Sequence, residues 1–235
     1  MPQILRCRVT RIVDHGERVY SVFLEPEKPA PRFLPGQFLH LALDEYTPDG
    51  VWPDSRSFSI AGATDDGTGL SITYAVKGEF TGRMESELRP FREVWIDMPH
   101  GEFIVSTESD VCLLAGGTGV TAFTVFLAGI PADYPHRVYL FYGARHPGLL
   151  IYRPLLDNAL QRCPNLQVRY LVEREAAGTG CLPGRVEVEF IIKSVPDPLA
   201  LTYYLAGPPE MIRDLATGLE KRGVDPARVI ADAWD

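Results

Sequence analysis

Apolar and polar residues alternate with a period of two through much of the first half of the chain. Alternation places every second side chain on one face of a sheet, and Gly, Pro and Asp clusters between the segments mark turns. Up to about residue 106 this pattern predicts an antiparallel β-barrel or sandwich, with a helical insert, TGRMESEL, before the last strand. The alternating segments are ILRCRVTRIV, RVYSVFLEP, GQFLHLAL, LSITYAV and EVWIDM.

Beyond about residue 109 the pattern changes to apolar runs that are separated by helix-length segments such as RPLLDNALQRC and PEMIRDLATGLEKRG. Strands that alternate with helices indicate a parallel sheet, whose strands are buried on both faces and lose their alternation. The chain is therefore predicted to form two domains, at 1–106 and 107–235. The apolar runs fall at 110–115, 137–142, 167–172, 201–206 and 228–231.

The first strand-to-helix turn of the second half reads CLLAGGTGVTAF over residues 112–123. A helix N-terminus with nearby glycines suits a phosphate, because bare backbone N–H groups can approach it closely. This motif comprises Gly116, Gly117, Thr118 and Gly119. GGTG is neither GxGxxG nor a P-loop, so on spacing alone a plain tight turn stays open as the alternative.

Composition and charge narrow the classes of function. The 235 residues are 46% hydrophobic and 23% charged, which predicts a packed globule. No apolar stretch approaches the roughly 18 to 20 residues that cross a bilayer, and no signal-peptide pattern opens the chain, so a cytoplasmic protein is expected. The net charge of −8 and the lack of a dense Lys/Arg run argue against nucleic acid.

Cysteine and histidine spacing gives no sign of a metal site. The four cysteines form neither a CxxC pair nor an iron–sulfur pattern, and the five histidines form neither HxxxH nor HExxH. A GxSxG nucleophile elbow is also missing from the sequence. We therefore expect no metal ligands, and no iron–sulfur module within this chain.

Seven short motifs fall in the order and spacing of one family: PGQF, RSFSIAG, MPHGEF, GGTGVTAF, YGAR, YLAGPPEMI and the final VIADAWD. Over about residues 4–234 the sequence resembles the ferredoxin–NADP reductase superfamily of flavin-dependent nicotinamide oxidoreductases. The resemblance implies a six-stranded antiparallel flavin-binding barrel followed by a parallel-sheet nicotinamide-binding domain. It also implies FAD, or FMN, as the flavin and NADH or NADPH as the electron donor.

The resemblance assigns RSFS, residues 56–59, to the flavin. Arg56 would pair with the flavin phosphate, Phe58 would pack along the ring or ribityl chain, and Ser59 would act catalytically near flavin N5. Ser57 completes the motif. The family usually has Tyr where Phe58 stands, so a phenol hydroxyl is missing. An exposed barrel arginine and a solvated strand serine remain the alternatives.

Two further flavin residues fall on the helical insert. The family's phosphate-contacting hydroxyl corresponds to Thr81, followed by Gly82, at the N-terminal end of TGRMESEL. A capping hydroxyl beside free N–H groups suits an anion. A purely structural helix cap is the alternative for Thr81.

In the second half the resemblance places the GGTG glycines under the pyrophosphate of the nicotinamide cofactor. Ala206, Gly207 and Pro208 would lie beside the nicotinamide, with Ala206 replacing the family's cysteine. Asp232 and Trp234 match the C-terminal acidic and aromatic positions and are assigned catalytic roles. The alternatives are a helix start for AGPP and a hydrophobic plug for Trp234.

The choice between NADH and NADPH falls on Glu173 and Arg174, after the third parallel strand. NADPH users of the superfamily usually place Ser then Arg here. A carboxylate accepts hydrogen bonds from a ribose 2′-hydroxyl and repels a 2′-phosphate, whereas Arg174 acts the other way. The sequence favours NADH, with a solvated surface charge as the alternative for Glu173.

The expected function is hydride transfer from NAD(P)H to FAD, followed by electron transport to a separate acceptor such as a ferredoxin or an oxygenase component. One alternative is an NAD(P)H:flavin or ferric reductase that uses flavin as a substrate. A second is a regulatory subunit that binds flavin without turnover. The sequence leaves the acceptor and the tightness of flavin binding open.

Overall fold

The computed structural model of the chain describes residues 1–106 and 108–232. Two compact units form, Met1–Ile104 and Val105–Asp235. The domain boundary between residues 106 and 107 stays a prediction, because residue 107 lies outside the described residues. Among the described helices, none combines the length and the apolar character that crossing a bilayer requires.

The first unit is a curled antiparallel sheet with the strand order β4-β3-β7-β1-β2-β6-β5. One helix, α1 (Glu79–Glu87), precedes the last strand, as the sequence predicted. The strands are β1 (Gln3–Asp14), β2 (Val19–Pro26), β3 (Phe38–Ala42), β4 (Ser55–Ser59), β5 (Gly62–Ala63), β6 (Leu70–Ala75) and β7 (Glu93–His100).

The sheet of the first unit has seven strands among the described residues, not the expected six. The additional strand is β5, in which two residues pair with β6. Two residues are too few to show a period of two. The alternating residues of the longer strands converge on one core, where Leu5, Val22 and Ile96 are fully buried.

The second unit is a parallel sheet with the strand order β11-β10-β9-β8-β12-β13. Its strands are β8 (Val111–Gly116), β9 (Val138–Ala144), β10 (Leu166–Val172), β11 (Leu182–Pro183), β12 (Thr202–Ala206) and β13 (Val229–Asp232). Five of the six match the predicted apolar runs to within a residue or two. The short β11 was not predicted.

In the described part of the second unit, four α-helices accompany the parallel sheet: α2 (Thr121–Gly129), α3 (Arg153–Arg162), α4 (Val188–Ser194) and α5 (Pro209–Lys221). Strand β8 is buried along its whole length, which explains why VCLLAG shows no alternation. Helix α5 shows the period of a half-buried helix. Its residues Ile212, Leu215 and Leu219 pack into the core.

Candidate functional site

The predicted flavin residues on β4 lie on two faces of the sheet. Arg56 pairs with Leu41 and Phe58 with Leu39 across β3, and both leucines are fully buried. Directly opposed residues share a face, so Arg56 and Phe58 lie on the core side. The half-buried Phe58 ring lies 6.2 Å from the Tyr74 ring, measured between centroids. The Phe58 ring thus packs against Tyr74, and the rest of the ring is partly open to a ligand.

The serines of the motif lie on the opposite face of the sheet. Ser57 pairs with His40 and Ser59 with Phe38. The Ser57 hydroxyl lies 3.2 Å from His40 Nδ1, and the His40 and His100 ring centroids are 4.9 Å apart. Ser57 therefore contacts a cluster formed by the rings of Phe38, His40 and His100. The sequence did not reveal this cluster, because its members and Ser57 come from three strands.

The Arg56 guanidinium lies against the first turn of α1. Its Cζ is 5.2 Å from the centroid of the buried Phe80 ring, and Phe80 is the second residue of the helix. The first backbone N–H groups of a helix have no partner within the helix and carry partial positive charge. A permanent cation beside such a helix end is a donor set that fits a phosphate.

Thr81 takes a different place in helix α1 from the one expected. The helix begins at Glu79 and Gly78 is the N-cap, so Thr81 is the third helical residue and not the first. Its hydroxyl accepts hydrogen bonds from the backbone N–H groups of Lys77, at 2.9 Å, and Gly78, at 3.1 Å. These bonds give Thr81 a structural role in fixing the helix start.

Gly82 lies in the first half of α1, where the chain itself does not require glycine. A Cβ atom built on Gly82 meets no heavy atom within 4 Å. The space beside the helix is therefore open at this position, one residue after Thr81.

The nicotinamide motifs of the second unit meet at the carboxyl edge of the parallel sheet. Strands β8 and β12 are neighbours in the sheet although three α-helices and three strands of the described residues separate them in the sequence. Ala206 is in register with Ala115 on one side and with Asp232 on the other. In open parallel sheets, ligands bind at such a point, where the strand order reverses.

The last glycine of GGTG is required by packing between two loops. A Cβ atom on Gly119 would lie 2.4 Å from the carbonyl oxygen of Ala206 and 2.5 Å from the backbone nitrogen of Gly207. No side chain fits between these backbones. The turn after β8 and the turn after β12 thus touch through their main chains.

Gly117 is the glycine of this motif that faces open space. Its φ is +54°, in the left-handed region, and a Cβ atom there would meet nothing within 4 Å. Residues Gly117–Val120 form a 3₁₀ turn, and α2 begins at Thr121. The site therefore leaves bare backbone open at Gly117, one turn before the helix.

The AGPP segment lies between the end of β12 and the start of α5. Ala206 is fully buried, and α5 begins at Pro209. Pro208 and Met211 fill the space where Gly116 has no side chain, because a Cβ there would lie 2.8 Å from Pro208 Cδ and 2.5 Å from Met211 Sδ. Gly116, like Gly119, is therefore a packing glycine.

Asp232 ends β13 beside Ala206 and is a buried acidic side chain at this edge. The position agrees with a role near the nicotinamide ring, which stays a prediction. Trp234 lies outside the described residues.

Glu173 and Arg174 follow β10 at the same edge of the sheet and are exposed. The Glu173 carboxylate accepts a hydrogen bond of 2.8 Å from Arg185 Nη2, and the Arg174 N–H donates to the carbonyl oxygen of Arg145. Arg185 follows the short strand β11. Its pairing with Glu173 was missed from the sequence because β11 has no periodic signal.

Comparisons with known proteins agree with this geometry. Residues 113–217 match the oxidoreductase NAD-binding domain family. The NAD(P)H-flavin reductase of Aliivibrio fischeri is 28% identical over 218 residues, which cover 88% of each chain. A ferredoxin–NAD(P)(+) reductase component of Ralstonia sp, from naphthalene 1,2-dioxygenase/salicylate 5-hydroxylase systems, is 26% identical over 99% of this chain and 69% of its own length.

Solved structures show the same fold at lower identity. The flavohem-like FAD/NAD binding domain of nitric oxide dioxygenase from Vibrio cholerae has a TM-score of 0.82 at 19% identity, with 98% of both chains covered. A ferredoxin NADP+ reductase from Neisseria gonorrhoeae, with bound FAD and NADP, has a TM-score of 0.76 at 18% identity, covering 94% of this chain and 92% of its own. The chain is therefore similar in sequence to reductases of these kinds and shares the fold of the ferredoxin NADP+ reductase, in agreement with the resemblance that its motifs indicated.

Proposed function

We propose that this chain is a flavin-dependent NAD(P)H oxidoreductase. The proposal rests on the contact between the GGTG and AGPP turns. The backbones of Gly119 and Gly207 pack against each other there, between β8 and β12, where the strand order reverses. The relatives bear out the expected class, an NAD(P)H-dependent flavoprotein reductase with FAD and NAD(P)H as cofactors.

On the first unit, Arg56 and the start of α1 would hold the flavin phosphate, and the half-buried ring of Phe58 would pack along the flavin. Ser59 ends β4 on the opposite face from Arg56 and Phe58, and its hydrogen bond near flavin N5 stays a prediction. The flavin held by these residues would supply the redox chemistry, namely acceptance of a hydride at N5 and transfer of electrons singly or in pairs. Thr81 supports the site by fixing where α1 begins.

On the second unit, the open backbone at Gly117 would receive the pyrophosphate, and Ala206, Gly207 and Pro208 would lie beside the nicotinamide. Glu173 favours NADH, because its carboxylate suits a ribose 2′-hydroxyl and repels a phosphate. Arg185 offsets part of that charge through its 2.8 Å hydrogen bond, so we propose a preference for NADH and not an exclusion of NADPH.

We propose that the electrons leave to a separate acceptor, such as a ferredoxin or an oxygenase component, as the name of the Ralstonia relative implies. A second candidate is reduction of free flavin as a substrate. It is favoured by the flavin reductase of Aliivibrio fischeri, of which this chain covers 88%, against 69% of the Ralstonia protein.

Steady-state assays with NADH and with NADPH test these proposals. The acceptors would be free FMN, ferricyanide, cytochrome c and a ferredoxin. Saturation with micromolar free FMN and release of reduced flavin would support the flavin reductase. Fast reduction of ferredoxin by a protein that keeps its flavin through gel filtration would support the electron-transfer component. A protein that binds flavin but oxidises neither nicotinamide would be the regulatory subunit.

A further inference from the structure

The cation expected to hold the flavin phosphate already has an anionic partner within the chain. Arg56 Nη1 donates to Asp54 Oδ1 at 2.6 Å and to the carbonyl oxygen of Ser55 at 2.7 Å. Asp54 comes directly before β4. The Asp54 carboxylate thus occupies a guanidinium donor that a flavin phosphate could otherwise use.

The surroundings of Arg56 limit how many anions its guanidinium can bind. One face of its guanidinium lies over the Phe80 ring, at 5.2 Å, and Nη1 is already used by Asp54 and Ser55. The remaining N–H donors could bind a phosphate only with a second negative charge close by. Like charges at such distances repel each other, so a phosphate and the Asp54 carboxylate compete.

We propose that Asp54 is a specificity-determining residue that competes with flavin phosphates for Arg56. By this competition Asp54 weakens the binding of FMN and FAD and leaves riboflavin, which has no phosphate, unaffected. Weaker binding of the phosphate would favour the second candidate function, in which flavin is a substrate. The proposal rests on the proposed function, because it takes Arg56 to be the partner of the flavin phosphate.

The competition has a modest size. The Arg56 and Asp54 side chains are 54% and 58% exposed, so water screens their attraction and the repulsion of a phosphate. Removing the Asp54 charge should tighten FMN and FAD binding by about 3- to 10-fold at low salt. The gain should shrink as the ionic strength rises, since both charges are exposed.

The test measures the Kd values of riboflavin, FMN and FAD by quenching of flavin fluorescence, for the wild type and Asp54→Asn. Asn keeps the shape of the side chain and removes its charge. The expected result is tighter binding of FMN and FAD with no change for riboflavin. Asp54→Ser, checked by its thermal unfolding midpoint, guards against an effect peculiar to Asn.

Glu25→Gln is the matched control. Glu25 forms an exposed pair with Arg8 at 2.5 Å, with side-chain exposures of 54% for Arg8 and 46% for Glu25. This pair joins β1 and β2, neither of which pairs with β4 in the sheet. Glu25→Gln changes the net charge by the same amount and should leave the three Kd values unchanged.

Two results would overturn the proposal: FMN affinity that does not change in Asp54→Asn, or riboflavin affinity that rises as much as that of FMN. An Arg56→Gln arm separates this failure from a failure of the proposed site. If Arg56→Gln weakens FMN but Asp54→Asn has no effect, only the competition is wrong. If Arg56→Gln leaves FMN unchanged, the phosphate assignment itself is wrong.

Discussion

The two candidate ligand sites are built from different parts of the chain. At the carboxyl edge of the parallel sheet, the site consists of main chain, and the Gly119 and Gly207 backbones leave no room for a side chain. On the antiparallel sheet, the site consists of side chains, and the Arg56–Asp54 pair is more than half exposed. One site is fixed by packing, whereas the other depends on charges in contact with water.

This difference predicts how each site responds to substitution. A change in the packed backbone site should affect the folding of the second unit together with ligand binding, because the same contacts serve both. A change at the exposed charged site should alter affinity and leave stability almost unchanged. The following substitutions test this contrast.

Gly119→Ala should have the largest effect. Its Cβ would lie 2.4 Å from the Ala206 carbonyl oxygen, so the two turns must move apart. We expect a loss of about 3 kcal/mol in the free energy of unfolding and of NAD(P)H binding, while flavin binding persists. Urea denaturation and nucleotide titration measure the two losses. Packing alone is enough to predict this loss, and the approach of a pyrophosphate to Gly119 stays a separate prediction.

Gly129→Ala is the control for Gly119→Ala. Gly129 ends helix α2, and a Cβ atom there meets nothing within 4 Å. Equal stability of the two variants would show that the turns after β8 and β12 do not pack as described.

Arg56→Gln should weaken FMN and FAD by about 10-fold, corresponding to ~1.5 kcal/mol for a charge-assisted contact with phosphate. The unfolding midpoint should stay close to that of the wild type, since the side chain is exposed. Arg8→Gln provides the control, because Arg8 is a similarly exposed arginine on β1. Full retention of FMN by a folded Arg56→Gln protein would refute the assignment.

Glu173→Gln should shift cofactor preference toward NADPH by about 5- to 30-fold, read as the ratio of kcat/KM values. The substitution removes a carboxylate and frees Arg185, its partner at 2.8 Å, for a 2′-phosphate. Glu189→Gln is the control, since Glu189 pairs with Arg222. A wild type that already prefers NADPH, or a ratio that does not move, would mean that Glu173 does not read the ribose.

The smallest effect concerns His40. Burial lowers the pKa of His40, and the neighbouring His100 lowers it further, while Asp97 raises it. His40 therefore binds a proton less readily in the folded state than in the unfolded state. The stability that comes from neutral His40 is fully present above the ordinary histidine pKa and is lost as the pH falls below it. The free energy of unfolding should drop between about pH 7 and pH 5.

His40→Asn should make that drop shallower. Part of the slope should remain, because burial also lowers the pKa of His15. Urea titrations at the two pH values measure the slope. An unchanged slope in His40→Asn would show that His40 stays solvated in the folded protein.

Long strands and helices with a regular pattern could be predicted from the sequence. Two-residue strands, and contacts between residues far apart in the sequence, could not. The alternation of β1, β2 and β6 and the apolar runs of β8 and β9 were read directly. The two-residue strands β5 and β11 have no period, so the expected six-stranded barrel became a sheet of seven strands. Thr81 was expected to begin its helix, but Gly78 can take the N-cap without a side chain.

Side-chain and backbone contacts within the candidate site also could not be predicted from the sequence. The motifs located GGTG and AGPP, but the contact between Gly119 and Ala206 exists only after β8 and β12 become neighbours. Asp54 lies two residues from Arg56, yet its carboxylate could have faced solvent. Only the 2.6 Å distance identifies Asp54 as the partner of Arg56.

Anaerobic mixing of the flavin-loaded wild type with NADH tests most directly whether the protein transfers a hydride from NADH to its flavin. The visible absorbance of the flavin should be lost in proportion to the NADH consumed, in a phase that saturates with NADH. Gly119→Ala, loaded with the same flavin, should lose this phase because its NADH site is disrupted. Flavin that stays bound and oxidised in the wild type, at NADH concentrations that saturate binding, would show that the protein is not an NADH-dependent flavin oxidoreductase.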